Sequence, residues 1–225
     1  MAAKNRSSFL LSATPVSVIA HLLGIAATTL VLVWILHFRG GLALKSETKQ
    51  KIFNVHPVLM VIGFIIVGGE GIMAYKTVPS SSRKMQKLVH LVLLLIALLL
   101  GILGVFAVFK FHHELGIPDL YTLHSWLGII TICLFGLQWL FAFFSFWFPG
   151  AEMPIRARLV PWHAFVGMVI FLMAICTAET GLLQKFILLG LVRGQEALIV
   201  NFTGLIILLF GIAVGLTAIL RRAYK

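Results

Sequence analysis

The sequence predicts an all-α membrane protein with six transmembrane helices. The chain has 225 residues, of which 60% are hydrophobic and 11% are charged, whereas soluble domains average about 25% charged residues. Its mean hydropathy is +1.07. Crossing a bilayer takes about 20 apolar residues in a helix. Runs of that length fall at about 16–38, 53–75, 88–110, 120–148, 161–183 and 197–220.

The connections between these runs are short, which leaves no room for a soluble domain. We therefore expect residues 1–225 to form a single transmembrane domain in which sequential helices are antiparallel neighbours. Pro79 and Pro149 follow the second and fourth runs and should end those helices. Pro118 and Pro161 are expected near the starts of helices four and five, where a missing backbone N–H costs little.

Lysine and arginine are shared unequally between the two faces of this arrangement. Eleven lie on the side of the termini: Lys4, Arg6, Lys76, Arg83, Lys84, Lys87, Arg156, Arg158, Arg221, Arg222 and Lys225. Seven lie on the other side: Arg39, Lys45, Lys49, Lys51, Lys110, Lys185 and Arg193. The positive-inside rule then predicts that both termini are cytoplasmic, and leaves open a vacuolar, vesicular or plasma membrane. Such scattered bases facing a lipid bilayer do not indicate nucleic-acid binding.

Four histidines stand near the starts of apolar runs, where an imidazole in the bilayer needs a polar partner. They are His56, His90, His124 and His163. Because successive helices alternate in direction, His56 and His124 should meet near the non-cytoplasmic face. His90 and His163 should likewise meet near the cytoplasmic face. The predicted central bundle of helices two to five would thus place one histidine pair at each face.

Two histidines from facing helices can bind a haem iron from both sides, which favours electron transfer over oxygen or substrate activation. The sequence therefore predicts two haems, one above the other, with ligand levels on the order of 25 Å apart along the helices. Gly128 and Gly167 each lie four residues after a histidine and should let the macrocycle approach.

Four other interpretations compete with this one. Each histidine by itself could be a hydrogen-bonded group at the membrane boundary. Zinc also binds imidazole, but it usually takes three or four converging ligands. A cofactor-free transporter of protons or small solutes would line its path with histidines, although transporters tend to break their helices at the midplane. A structural membrane scaffold is a further alternative.

The chain resembles the cytochrome b-561 family, the six-helix, ascorbate-reducible dihaem membrane proteins. The stretches that carry the resemblance to its plant branch are FNVHPVLMVIGF, YTLHSWLG, RARLVPWH and EALIVNFTG. The resemblance implies two haem b groups, on His56 with His124 and on His90 with His163. It also implies cytoplasmic ascorbate as the electron donor, monodehydroascorbate or a ferric chelate as the acceptor on the other side, and a homodimer.

The resemblance implies further site residues. Ascorbate would be bound by Arg83, Lys87 and Arg156, of which Lys87 and Arg156 would be catalytic. His112 would lie near the acceptor. Additional haem contacts would be Lys76, at a propionate, with Tyr121, Thr122 and Gln184; some family members carry Glu where this chain has Gln184.

Elementary chemistry agrees with the ascorbate assignment, since ascorbate is a monoanion at neutral pH and bases cluster here at helix starts. Lys87 lies three residues before His90, on nearly the same helical face. Arg156 lies seven residues before His163, in the expected loop, and its guanidinium can bind an oxyanion bidentately. Lys84 and Arg158 are expected to be ordinary loop charges. Two intramembrane acids, Glu70 and Glu179, could relay a proton or hydrogen-bond a neighbouring helix.

Overall fold

The structure, a computed structural model, describes residues 12–78 and 82–220. These ranges contain six helices long and apolar enough to span a membrane, and no β-strand. They are Ala13–Phe38 (α1), Gln50–Thr77 (α2), Arg83–Leu115 (α3), Leu123–Trp147 (α4), Met153–Leu188 (α5) and Gln195–Ile219 (α6). The predicted fold class, all-α with six transmembrane helices, is confirmed. Predictions on Pro79, Lys4, Arg6, Arg221, Arg222 and Lys225 fall outside the described residues.

Helix α5 begins earlier than expected, and this corrects two sequence-based expectations. Pro161 lies inside α5 rather than near its start, and Arg156 lies on the helix rather than in a loop. Pro154 occupies the first turn of α5, where a proline without an N–H is well accommodated. The helix therefore starts at Met153, and its basic first turns extend beyond the apolar run.

Helices α2 to α5 form one group, in which α2 packs on α3 and α4 packs on α5. Helices α1 and α6 pack on each other beside this group. Small buried residues of α1, including Ala20, Gly24 and Ala27, let the two helices approach closely. A Cβ on Gly24 would lie 3.4 Å from the Phe210 ring of α6.

Side-chain caps fix where two of the central helices begin. Thr122 and Ser125 form a reciprocal capping box at the start of α4, which places His124 in the first turn. Ser82 caps α3, accepting a hydrogen bond from the Met85 amide at 3.4 Å. Helix α3 ends at Gly116, whose φ of 66° is a left-handed conformation that favours glycine.

Three stretches of the helices have π-helical hydrogen bonding: Trp34–Phe38 in α1, Leu59–Ile66 in α2 and Phe143–Trp147 in α4. A π-bulge accommodates one extra residue in a helix and is frequent near functional sites. The stretch in α2 begins three residues after His56 and so shifts the register of the following part of α2 relative to His56.

We call the end at which α1 begins and α6 ends the terminal end, and the other the opposite end. At the opposite end, Arg39 binds Glu196 through two hydrogen bonds of 2.6 and 2.7 Å. Trp34 donates to the same carboxylate at 2.9 Å. Lys49 lies 2.9 Å from Glu114, and this hydrogen bond raises the pKa of Lys49. These contacts hold the α1–α2 connection against the bundle.

Candidate functional site

The four histidines form two pairs, one at each end of the central helices. At the opposite end the ring centroids of His56 and His124 are 6.1 Å apart, with ring planes at 89°. At the terminal end His90 and His163 are also 6.1 Å apart, at 77°. The first pair joins α2 with α4, and the second joins α3 with α5, as the alternating direction of the helices predicts.

This separation fits a metal held between two imidazoles. A nitrogen of imidazole binds a transition metal at about 2 Å, so two trans ligands place their ring centroids roughly 6 Å apart. In the described residues no group of three or more His, Cys, Asp or Glu is arranged to hold a metal. Each pair therefore lacks the three or four protein ligands of a zinc site, but has the two that a haem iron takes.

Hydrogen bonds at Nδ1 orient three of the four rings. His56 donates to the carbonyl oxygen of Gly104 at 3.0 Å, and His124 to that of Thr177 at 2.9 Å. His90 donates to the carbonyl oxygen of Gly71 at 2.8 Å. A ring that donates through Nδ1 keeps the lone pair of Nε2 for a metal, the arrangement of metal-binding histidines in general.

The fourth ring is held differently. Nδ1 of His163 lies 2.9 Å from the side-chain nitrogen of Gln138 on α4, and that nitrogen is also 2.9 Å from the His163 carbonyl oxygen. Gly167, one turn further along α5, faces this amide, and a Cβ there would lie 3.6 Å from it. Gly167 thus makes room for Gln138. A Cβ on Gly128 would lie 3.5 Å from Thr177, and Gly128 lines the space around the opposite-end pair.

A cavity of about 370 Å³ opens around the opposite-end pair. Its lining is mostly apolar and is drawn from α1 to α5 and the α3–α4 connection. The residues expected to contact the haem or the acceptor at this end all line the cavity: His112, Tyr121, Thr122 and Gln184. His112 also donates to Asp119 at 2.8 Å, which fixes its ring at the cavity wall.

At the terminal end Lys87 is tied to the histidine pair through Phe146. The Lys87 ammonium donates to the Phe146 carbonyl oxygen at 3.0 Å. The ring of Phe146 packs edge-on against His163, with centroids 5.3 Å apart. On the other side of the pair, the Tyr75 ring lies 5.3 Å from His90. A single residue, Phe146, therefore separates the Lys87 charge from this histidine pair.

Arg156 is half-buried near the start of α5. Its Nε atom is buried and has no hydrogen-bond partner among the described residues. A buried donor left without a partner costs about 1–3 kcal/mol, so an anion bound there would relieve that cost. Arg158, two residues further on, is exposed, although it too lies on α5 rather than in the expected loop.

The other predicted terminal-end residues have separate environments. Lys76 donates to the carbonyl oxygen of Leu220 at 2.7 Å, which closes the end of α6; an ammonium has three N–H donors, so two remain. Arg83 and Lys84 are exposed at the first residues of α3. The structure does not bring Arg83 into contact with the histidine pair.

The two intramembrane acids differ in their partners. Glu70 of α2 accepts a 2.8 Å hydrogen bond from His21 of α1, which links neighbouring helices. Glu179 of α5 has one oxygen against Gly204 of α6. Its other oxygen is buried without a hydrogen-bond partner in the described part of the chain.

Three residues at these sites were not singled out from the sequence. Lys185 lines the cavity, and its ammonium lies 3.9 Å from the centre of the Phe53 ring; a lysine at the end of an apolar run was the available signal. Gly181 touches His124, because a Cβ there would lie 2.6 Å from its ring. Gln138 is a polar residue in an apolar run, which was a signal too.

A sequence model described as eukaryotic cytochrome b561 matches residues 55–189, a segment that contains all four histidines. The chain belongs to this cytochrome b561 family. It is 51% identical to a probable ascorbate-specific transmembrane electron transporter 1 of Oryza sativa subsp. japonica, over 92% of this chain and 90% of that protein. It is 48% identical to the transmembrane ascorbate ferrireductase 1 of Arabidopsis thaliana, over 92% and 88%.

The similarity extends to animals. A transmembrane ascorbate-dependent reductase of Sus scrofa is 36% identical over 92% of this chain and 82% of that protein. The predicted family and the integral, multi-pass membrane class are therefore confirmed. Membership implies b-type haem, and the paired imidazoles with their Nδ1 atoms already engaged are the donor set that such a group requires.

Proposed function

We propose that this chain is an ascorbate-dependent transmembrane oxidoreductase in which two b-type haems carry electrons from ascorbate at the terminal end to an acceptor at the opposite end. The observation that supports it most is the 6.1 Å separation of the imidazole rings in both histidine pairs. The names of the relatives support ascorbate as the donor. In this proposal the six helices of residues 1–225 act as one domain.

His56 with His124 would hold the iron of one haem, and His90 with His163 that of the other. The carbonyl oxygens that accept from Nδ1 orient three of these rings. Because His90 donates to Gly71, the terminal-end ligands would lie fifteen residues, about four helical turns, beyond His56 on α2. The two levels would then be roughly 22 Å apart along the helix, close to the sequence estimate of about 25 Å.

Ascorbate would bind at the terminal end through Lys87, Arg156 and Arg83. Lys87 lies beside the Phe146–His163 contact, and Arg156 has a buried donor without a partner among the described residues. The two charges attract an anion, while the guanidinium fork can hold two of its oxygens. Arg83, exposed at the first turn of α3, would join them.

The acceptor would be monodehydroascorbate or a ferric chelate, bound near His112 at the mouth of the opposite-end cavity. Tyr121, Thr122 and Gln184 would contact the haem there, since all three face the cavity. Lys76 would serve a propionate of the other haem with its remaining N–H donors. A homodimer stays a prediction from the family resemblance.

The sidedness of the proposal rests on the positive-inside rule, which places the terminal end, with both termini and the ascorbate site, in the cytoplasm. A cofactor-free transporter is not favoured, because histidines lining a proton path need neither such close pairing of their rings nor fixed Nδ1 donors. The family points the same way.

The deciding experiment uses purified protein in sealed vesicles loaded with ascorbate, with a ferric chelate outside. We expect a haem Soret band that sharpens on ascorbate addition, two haems per chain, and reduction of the external chelate. Vesicles without protein are the control. A colourless preparation from cells well supplied with haem, or a ratio of one haem per chain, would overturn the proposal.

A further inference from the structure

The histidines and the atoms that hold them follow one spacing along the chain. On α3, Gly104 lies two heptads after His90. His90 donates to α2, and Gly104 accepts from His56 of α2. Each of these two helices therefore supplies a histidine at one end and, about four turns later, the acceptor for its neighbour's histidine at the other end.

Helices α4 and α5 repeat this exchange. Thr177 lies two heptads after His163 and accepts from His124. Gln138 lies two heptads after His124 and contacts His163. The heptad is the repeat that returns a residue to the same face of a bundled helix.

Helix α2 shows the same relation with a single residue added. Gly71, which accepts from His90, lies two heptads and one further residue after His56. The π-helical stretch Leu59–Ile66 lies between them, and such a stretch takes up one extra residue without rotating the helix beyond it. The four exchanges are thus equivalent in position.

They are not equivalent in chemistry. At Gly71, Gly104 and Thr177 the atom that faces Nδ1 is a backbone carbonyl oxygen. At Gln138 it belongs to a side-chain amide. A substitution cannot remove a backbone carbonyl, so of the four equivalent positions Gln138 alone is one where the amino-acid type chooses the partner of the histidine.

The chemistry of a metal ligand decides which end of that amide is needed. A neutral imidazole that binds a metal through Nε2 carries its proton on Nδ1, and that N–H needs an acceptor. An amide nitrogen only donates, whereas an amide oxygen accepts. Half a turn of the Gln138 amide exchanges its two ends. It gives up the hydrogen bond from the Gln138 nitrogen to the His163 carbonyl oxygen, but that carbonyl, being inside α5, keeps its helical hydrogen bond.

We propose that Gln138 is the positioning residue of His163: its side-chain oxygen accepts from Nδ1–H and thereby sets the orientation and donor strength of this ligand. The inference rests on the proposed haem ligation. A stronger acceptor at Nδ1 makes an imidazole a stronger donor to iron, and a stronger donor favours the oxidised metal. The side chain at position 138 therefore tunes the reduction potential of the terminal-end haem, apart from the opposite-end haem.

The test compares Gln138→Glu and Gln138→Leu with the unaltered holoprotein. Midpoint potentials of both haems are measured by redox titration, and the low-spin signals of the oxidised haems by electron paramagnetic resonance. We expect Gln138→Glu to lower the terminal-end potential, because a carboxylate is the stronger acceptor. Gln138→Leu should raise it, because no acceptor remains. The opposite-end potential and signal should stay unchanged in both.

Gln86→Leu is the matched control, since this glutamine lies at the same end but donates to the Val78 carbonyl instead. Loss of the terminal-end haem from Gln138→Leu but not from Gln138→Glu would also support the inference. Unshifted potentials in both variants, or loss of that haem from both, would overturn it and leave the two-haem proposal standing. Unaltered protein without two haems would overturn the two-haem proposal itself.

Discussion

The two ends of the central bundle hold histidine pairs of equal ring separation, 6.1 Å, in different surroundings. At the opposite end both rings donate to backbone carbonyls, and an apolar cavity surrounds them. At the terminal end a side-chain amide holds one ring, and basic residues stand close by. The same ring separation is thus combined with an apolar cavity at one end and with nearby positive charge at the other.

This difference suits the two ends to different tasks. In the proposed function, a site that accepts electrons from an anionic donor needs positive charge near its edge, which Lys87 and Arg156 would provide. At the opposite end, Arg39 and Trp34 instead join the end of α1 to Glu196 of α6. Low polarity around a haem is one of the levers that set its potential.

The largest expected effect comes from removing one ligand at either end. His90→Ala should remove the terminal-end haem and abolish fast reduction by ascorbate from that side. His124→Ala should remove the opposite-end haem and leave the other reducible. The haem-to-protein ratio should halve in both, and stopped-flow absorbance after ascorbate addition distinguishes them. Normal ascorbate reduction of the His90→Ala protein would show that the ends are assigned the wrong way round.

The next effect tests whether the basic side chains at the terminal end bind ascorbate without contributing to haem binding. Arg156→Ala and Lys87→Ala should each raise the KM for ascorbate by roughly 10- to 100-fold, the equivalent of a hydrogen bond to a charged group. Haem content should not change. Steady-state reduction at varied ascorbate concentration measures the effect.

Arg158→Ala and Lys84→Ala are the matched controls, because both side chains are exposed near the tested residues. They should leave KM within about twofold, as solvent-exposed charges contribute little. If Lys87→Ala lost haem instead, its hydrogen bond to Phe146 would be structural rather than a means of holding ascorbate.

A smaller effect concerns the packing of the opposite-end pair. In Gly181→Ala the added Cβ would lie 2.6 Å from the His124 ring, so the ring must shift from its hydrogen bond to Thr177. We expect a shifted potential or lower occupancy of the opposite-end haem alone, seen by redox titration. Gly136→Ala is the control, since its Cβ would meet Leu98 at an ordinary 3.8 Å. An unchanged opposite-end haem in Gly181→Ala would contradict the close contact.

The smallest effect tests the ion pair between Arg39 and Glu196 at the opposite end. Arg39→Ala leaves the part-buried Glu196 carboxylate with Trp34 as its remaining donor in the described structure, and should destabilise the protein by about 1–3 kcal/mol. Thermal unfolding in detergent measures it. Arg193→Ala, an exposed neighbour, should unfold like the unaltered protein. Equal unfolding temperatures for both variants would mean that the pair contributes no net stability.

Much of this comparison was accessible from the sequence, for a definite reason. Apolar runs of bilayer length fix the number of helices, and alternating direction then fixes which histidines share an end. Neither argument needs side-chain contacts. The pairing of His56 with His124 and of His90 with His163 follows from counting helices, and the structure places those rings together.

Helix ends and hydrogen-bond partners were less accessible. The start of α5 at Met153, with Arg156 on the helix, depends on polar turns that continue beyond the bilayer, where hydropathy gives no signal. Of the two glycines chosen for their distance from a histidine, Gly128 lines the opposite-end cavity, whereas Gly167 faces Gln138. Helix rotation decides such contacts, and a spacing within one helix does not specify the rotation of its neighbour.

By itself, the sequence determined a six-helix membrane protein with one imidazole pair at each face, because hydrophobic length and chain direction are properties of single segments. Only the tertiary structure decided which atoms hold each imidazole. The acceptors for Nδ1 come from a neighbouring helix, and the π-helical residue in α2 sets part of their register. Only the packed helices show that the side-chain amide of Gln138 faces a histidine at the position where Gly71, Gly104 and Thr177 present a backbone carbonyl oxygen.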